Sequence, residues 1–133
     1  MAIVGDHQEL SERVIGLAIE VHKELGPGLL ESAYESCLAI ALVDAGLRGR
    51  RQVAVPLRFR GRDVGAAYRI DLLVEDRLVL EIKAVSAIEP IHEAQLLTYL
   101  RCGGYTAGLL MNFHAPTLRE GIRRVVLSAN AKR

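Results

Sequence analysis

An α/β fold with a mixed β-sheet flanked by α-helices is the class this sequence predicts, and three observations predict it. Leu10, Val14, Leu17, Ala18, Val21 and Leu25 recur at helical spacing. Val53, Val55, Leu57 and Phe59 alternate with Gln52, Ala54, Pro56 and Arg58, the period of a strand with one buried face. Thr106 to Phe113 is a near-continuous apolar run lying behind a further helical segment, the pattern of a strand covered on both faces.

In chain order, the first helix has Asp6 or Ser11 available as its cap and Gly26-Pro27-Gly28 as its stop. Leu30, Tyr34, Leu38, Ala41 and Leu42 mark a second helix ending near Gly46, with Glu31 and Glu35 four apart on one face. Paired acids at a helix start ordinarily complement the helix dipole. The alternating strand follows, and Pro56, which cannot donate to a ladder, puts it at a sheet edge or at a bulge. Gly61 turns the chain into two further strands, Tyr68 to Val74 and Leu78 to Lys83, completing an antiparallel meander. Pro90 opens a third helix that stops at Gly103-Gly104. The strand behind it should run parallel to Leu78–Lys83 through a right-handed crossover. Gly121 to Leu127 can form a last strand, and Ala129 to Arg133 reads as a frayed tail.

The chain of 133 residues fits one domain spanning 1–133 and is long enough to bury a core without disulfides or structural metal. Half of its residues are hydrophobic and its mean hydropathy is slightly positive, so apolar surface is expected to meet a partner, with a homo-oligomer, a dimer first, as the expectation. Seventeen Lys and Arg against sixteen Asp and Glu leave the global charge silent about nucleic acid, membrane or acidic substrates. The distribution says more, because eight arginines fall between Arg48 and Arg77, and Arg119, Arg123 and Arg124 follow. A local basic face and a solvated sheet edge account for them equally well. Cys37 and Cys102 lie in apolar helical patterns without metal-ligand spacing, as buried thiols of a reducing compartment do. Neither a secretory signal pattern nor a bilayer-length apolar run is present, so a cytoplasmic protein without membrane contact is expected.

Three charged residues interrupt strands otherwise built for burial: Asp71, Glu81 and Lys83. If Glu75-Asp76-Arg77 is a three-residue hairpin loop, Asp71 falls directly across from Glu81 and Arg69 across from Lys83, on one face. A two-residue loop would put Asp71 and Glu81 on opposite faces. Two opposed carboxylates repel unless a cation compensates them. Lys83 is one candidate. A divalent metal is the other, since Asp, Glu and water oxygens are what Mg²⁺ or Mn²⁺ takes, with the main-chain carbonyl of Ile82 as a further oxygen. A surface ion-pair cluster on an exposed sheet face would read the same way.

Asp71 with Glu81-Ile82-Lys83 resembles the core of the PD-(D/E)XK nuclease superfamily, whose restriction-endonuclease-like core has the same order of helix, meander, helix and parallel strand. Gly28-Leu29-Leu30-Glu31-Ser32-Ala33-Tyr34 is similar to the signature of the GxxExxY family within it. The likeness extends to Val21–Pro27, His92–Leu100 and Gly108–Phe113, and so covers about Leu10 to Val126. The resemblance implies that Asp71 and Glu81 are the principal metal ligands, Lys83 the catalytic lysine, and Glu31 an acid turned toward the metal, directly or through water. It makes Gln95 and Tyr99 the Q-x-x-x-Y element that contacts the phosphate backbone. Ile70 stands where the superfamily name has proline, which leaves every charged position of the motif in place.

Other polar residues draw weaker expectations. His22 reads as a helix-surface histidine, His92, one helical turn before Gln95, as a candidate to face the cleft, and Asn112 as orienting a loop or meeting substrate. Tyr34 reads as a core residue with its hydroxyl bonded near Glu31. The expected function is Mg²⁺- or Mn²⁺-dependent hydrolysis of nucleic-acid phosphodiester bonds, DNA first. The alternative is a noncatalytic nucleic-acid-binding or assembly module that keeps the nuclease fold.

Overall fold

A computed structural model describes residues 2–128. The elements are α1 (Ala2–Leu25), α2 (Glu31–Asp44), β1 (Gly49–Phe59), β2 (Arg62–Val74), β3 (Leu78–Lys83), α3 (Pro90–Gly103), β4 (Ala107–Asn112), a 3-10 turn (Leu118–Gly121) and β5 (Ile122–Val126). The five strands form one sheet in sequence order, antiparallel throughout except for the parallel β3–β4 pair. This is the mixed α/β architecture the sequence predicts, with β5 added as an antiparallel edge. The tail expected to fray, Ala129–Arg133, lies outside the described residues.

Helices cover the sheet on both faces, and the alternation of the central strands sends apolar side chains to each. Leu72, Val74, Leu78, Leu80, Ile82, Leu109 and Met111 pack with Leu10, Val14, Val21, Leu38 and Leu42 of α1 and α2. Leu73, Val79 and Leu110 pack with Leu96 and Leu100 of α3. Gly108 lets α3 approach β4, since a Cβ there would lie 2.9 Å from Leu96 Cδ1 and 3.2 Å from the Val79 carbonyl.

Local signals account for most boundaries. Gly26, at φ 72°, ends α1 with its N–H on the His22 carbonyl at 2.7 Å. Pro90 starts α3, where Glu89 and His92 form a reciprocal cap, and Gly104 closes it in the left-handed conformation. β1 is an edge strand and its register shifts between Pro56 and Arg58, so both consequences expected of Pro56 occur together.

Several expectations need correction. α1 begins at Ala2, which leaves Asp6 and Ser11 inside the helix and not at its cap; Ser11 is buried, its Oγ without a hydrogen-bond partner among the described residues. His22 is buried, not on the helix surface: its Nε2 lies 3.1 Å from the Phe113 carbonyl oxygen. Amphipathic spacing could not separate these, because the face of α1 carrying His22 packs under the end of β4. Cys37 and Cys102 are free thiols but only partly buried.

Candidate functional site

The site forms where β2 and β3 part. Their ladder pairs Val74 with Leu78, Leu73 with Val79 and Leu72 with Leu80, the register of a three-residue loop at Glu75-Asp76-Arg77. Continued by one pair it sets Asp71 opposite Glu81. There the backbone ladder gives way to side chains: the Asp71 N–H donates to Glu81 Oε2 at 3.1 Å, and the Ile82 N–H donates to Asp71 Oδ2 at 2.8 Å. Each carboxylate therefore takes a main-chain donor from the opposing strand. Where the ladder stops, side-chain oxygens satisfy the Asp71 and Ile82 backbone donors in place of carbonyls.

On the other side of β2 the chain turns at the same place. Gln52, which falls between the pairs Arg51–Leu72 and Val53–Ile70, has φ 53°. Strict alternation would send Arg51 and Val53, and likewise Leu72 and Ile70, to one face. Instead Arg51 reaches Glu35 on α2 while Val53 and Ile70 pack with the α3-side core. Both strands thus rotate at Gln52 and Asp71.

Burial and charge act on this pair in one direction. Glu81 is 6% exposed, and burial, then the neighbouring Asp71 charge, push its carboxyl up to about 8 against the opposing pull of the Asp71 N–H and Lys83. Asp71 is also raised, by burial first; the Ile82 N–H and Lys83 oppose this and the Glu35 charge adds to it. Lys83, the last residue of β3, pairs with Asn112 of β4 and carries its charge beside both carboxylates.

Glu31 is the first residue of α2 and its Oε2 accepts the Ala84 N–H at 3.0 Å, which fixes it to the main chain one residue beyond Lys83. The loop in front of it is locked by Tyr34. This buried ring stacks on Phe113 at 4.5 Å between centroids, and its hydroxyl accepts from the Leu29 N–H at 3.1 Å and donates to the Gly26 carbonyl. The hydroxyl was expected near Glu31; it holds the turn that delivers Glu31. On α3, Tyr99 lies within the field of Glu81 and Asp71: burial raises its phenol, and those two charges raise it further. Its ring sits 5.5 Å from Tyr68 of β2. Gln95, one turn earlier on α3, is exposed.

Glu35 is the acid that sequence reasoning left without a role. It is buried, accepts from Arg51 Nε at 3.0 Å and from Gln52 Nε2 at 2.9 Å, and its charge acts on both Asp71 and Glu81. Gln52 also approaches Asp71 Oδ1 at 3.5 Å. The four-residue spacing from Glu31 was the available signal for Glu35. Gln52 had none, because its register depends on the bulge after Pro56. The remaining candidates are structural: His92 Nδ1 accepts the Glu89 N–H at 2.9 Å, and Asn112 pins the chain beyond β3 through the Val85 N–H at 3.0 Å and the Val85 carbonyl at 2.8 Å.

Among the described residues no three His, Cys, Asp or Glu side chains converge as a preformed metal cluster. The donor set nevertheless fits a hard cation. Two adjoining carboxyl groups are held near water-poor surroundings with an excess of negative charge, and Mg²⁺ characteristically takes one or two carboxylates and keeps several waters. Among the described residues, no cluster of three with the His and Cys ligands that zinc would favour is found.

Compared with known proteins, residues 8–125 match the model of a family described as the PD-(D/E)XK nuclease superfamily. No curated protein matches the chain.

Proposed function

Since the chain belongs to the PD-(D/E)XK nuclease superfamily, whose nucleases generally use divalent metal ions, we propose that it is a Mg²⁺- or Mn²⁺-dependent nuclease acting on DNA, as a member of the GxxExxY branch. The observation that carries the reading is the parting of β2 and β3, where the carboxyl groups of Asp71 and Glu81 replace the backbone ladder and adjoin each other. Asp71, Glu81 and the Ile82 carbonyl would hold the ion, with Glu31 contributing through water. A bound divalent cation would polarise the scissile phosphate and acidify a water.

The chain's own groups do the rest. Lys83 places a positive charge beside the two carboxyl groups, where it would stabilise an attacking hydroxide and the negative charge that builds on the phosphoryl oxygens. Gln95 and Tyr99 present an amide and a phenol from one face of α3 to the phosphate backbone. Arg51, by ion pair, and Gln52, by hydrogen bond, hold Glu35 in place, so that its charge bears on Asp71 and Glu81 without Glu35 entering the ligand set.

The same reading takes the protein as a cytoplasmic homodimer. Ile40 and Val43 on the outer side of α2, 61% and 68% exposed, supply apolar surface for a second copy. The described residues include no helix long and apolar enough to cross a membrane. The test is digestion of single-stranded, duplex and branched DNA and of RNA, with Mg²⁺ or Mn²⁺, by wild type and Asp71→Ala. Metal-dependent cleavage of DNA by wild type alone is expected. Should no substrate be cut above the Asp71→Ala background, and calorimetry find no metal binding, the noncatalytic module is the correct account.

A further inference from the structure

The β1–β2 hairpin runs far past the sheet that anchors it. The backbone ladder between β3 and β2 runs from Leu72 to Val74 and Asp71 meets β3 through side-chain bonds, so among the described residues the segment of β2 from Arg62 to Ile70 has β1 as its strand neighbour. β1 in turn is the sheet edge. Beyond Gln52 and Asp71 the chain is therefore a two-stranded ribbon whose base is the candidate site itself. At ~3.3 Å per residue it reaches about 23 Å from Gln52 to the tip at Phe59.

The two halves of the ribbon differ. Near the base, Val53, Val55 and Ile70 pack into the α3-side core and Tyr68 meets Tyr99, so α3 braces the ribbon. Past that brace every residue from Arg58 to Gly65 is exposed, including Phe59 at 61% and Val64 at 48%. The tip carries Arg58, Arg60 and Arg62. Asp63, its one acid, is turned back on the Gly65 N–H at 2.8 Å. The Arg60 guanidinium lies over the Phe59 ring, 5.0 Å from its centroid. The basic face and the solvated edge, which the sequence left equivalent, thus become a braced arm with three of its four arginines at the far end; the fourth, Arg69, is tied to the Gln52 carbonyl at the base.

We propose that this ribbon is a substrate-engaging arm that enters the major groove of duplex DNA, with Arg58, Arg60 and Arg62 on phosphates and Phe59 against the groove wall, while the phosphodiester to be cut lies at the arm's base. The inference rests on the nuclease reading of the site. A two-stranded ribbon fits the B-form major groove, about 12 Å wide, and not the narrow one of A-form RNA. The free edge of β1 is poorly suited to strand addition by a second copy, since Pro56, the register shift and the left-handed Gln52 break its donor row. Two such tips would also repel each other.

The test is fluorescence anisotropy of a short labelled DNA duplex over a salt series, in excess EDTA so that binding is read apart from cleavage. Wild type is compared with R58A/R60A/R62A and with a control of equal charge change, R13A/K23A/R119A. All three arm positions are exposed, so the substitutions should leave the fold intact, which circular dichroism of each variant checks. The arm variant should bind at least about tenfold more weakly, with a salt slope shallower by about 2 to 3, while the control stays close to wild type. Phe59→Ala should weaken binding with the slope unchanged. Equal binding by the arm variant and wild type overturns the inference, as does an equal loss in the control or a change in oligomeric state produced by the arm substitutions. Cleavage that survives the triple substitution at undiminished rate overturns the arm alone. Arm-dependent binding without any cleavage by wild type overturns only the nuclease reading.

Discussion

Glu81→Gln should make the metal-free protein more stable while removing its response to metal. In the folded chain the Glu81 carboxyl titrates at about 8 against an ordinary 4.5. Between those two pH values the folded state holds a proton that the unfolded state has lost, so stability falls as pH rises through the window. Below it both states are protonated and no penalty exists; above it both are ionised and the penalty is complete. At ~1.4 kcal/mol per pH unit the ceiling is ~5 kcal/mol, and relaxation of the site brings the expectation to ~2–5 kcal/mol. Glutamine keeps an oxygen to accept the Asp71 N–H and cannot ionise. Urea denaturation in EDTA, followed by far-ultraviolet circular dichroism because the chain has no tryptophan, should therefore find Glu81→Gln more stable than wild type at pH 8 and within ~0.5 kcal/mol of it near pH 4.5. With Mg²⁺ at pH 8, wild type should recover the difference and the variant should not respond. A stability difference independent of pH, or none at pH 8, refutes the reasoning.

Three further outcomes follow from the geometry. Lys83→Met should lower cleavage by about 10²–10³-fold while leaving the metal-induced rise in melting temperature in place, because the lysine acts on developing charge and is not a ligand; loss of both effects would make it part of the cation's seat. Tyr34→Phe strands the Leu29 N–H and Gly26 carbonyl and should cost ~1–3 kcal/mol by urea denaturation, with a neutral result showing that the loop before Glu31 is held by packing alone. Gly108→Ala drives a methyl group against Leu96 and the Val79 carbonyl and should cost ~1–3 kcal/mol, read in the same way; an unchanged denaturation midpoint would mean that α3 can shift freely over β4.

The fold was legible wherever a local signal existed. Period-two alternation, Pro56, the Gly26 and Gly104 stops and the all-apolar Thr106–Phe113 run each report on their own neighbours, and the three-residue turn carried Asp71 to Glu81. What stayed illegible depends on relations between distant segments. His22 is buried because α1 lies under Phe113, 91 residues away. Glu35 joins the site only because β1 returns Arg51 and Gln52 to α2. The rotation at Gln52 and Asp71 leaves no trace in hydrophobic pattern, since Val53 and Ile70 are apolar whichever face receives them. The motif located the charges, and the register located their partners.

If the gap between β2 and β3 is a nuclease site, it seats a divalent cation on Asp71 and Glu81. Crystals grown with Mn²⁺ test it through anomalous scattering at the manganese edge. A peak is expected within bonding distance of a carboxylate oxygen from each of Asp71 and Glu81, and none in Asp71→Ala crystals. A well-ordered site with no peak there, or a peak that persists in Asp71→Ala, contradicts it.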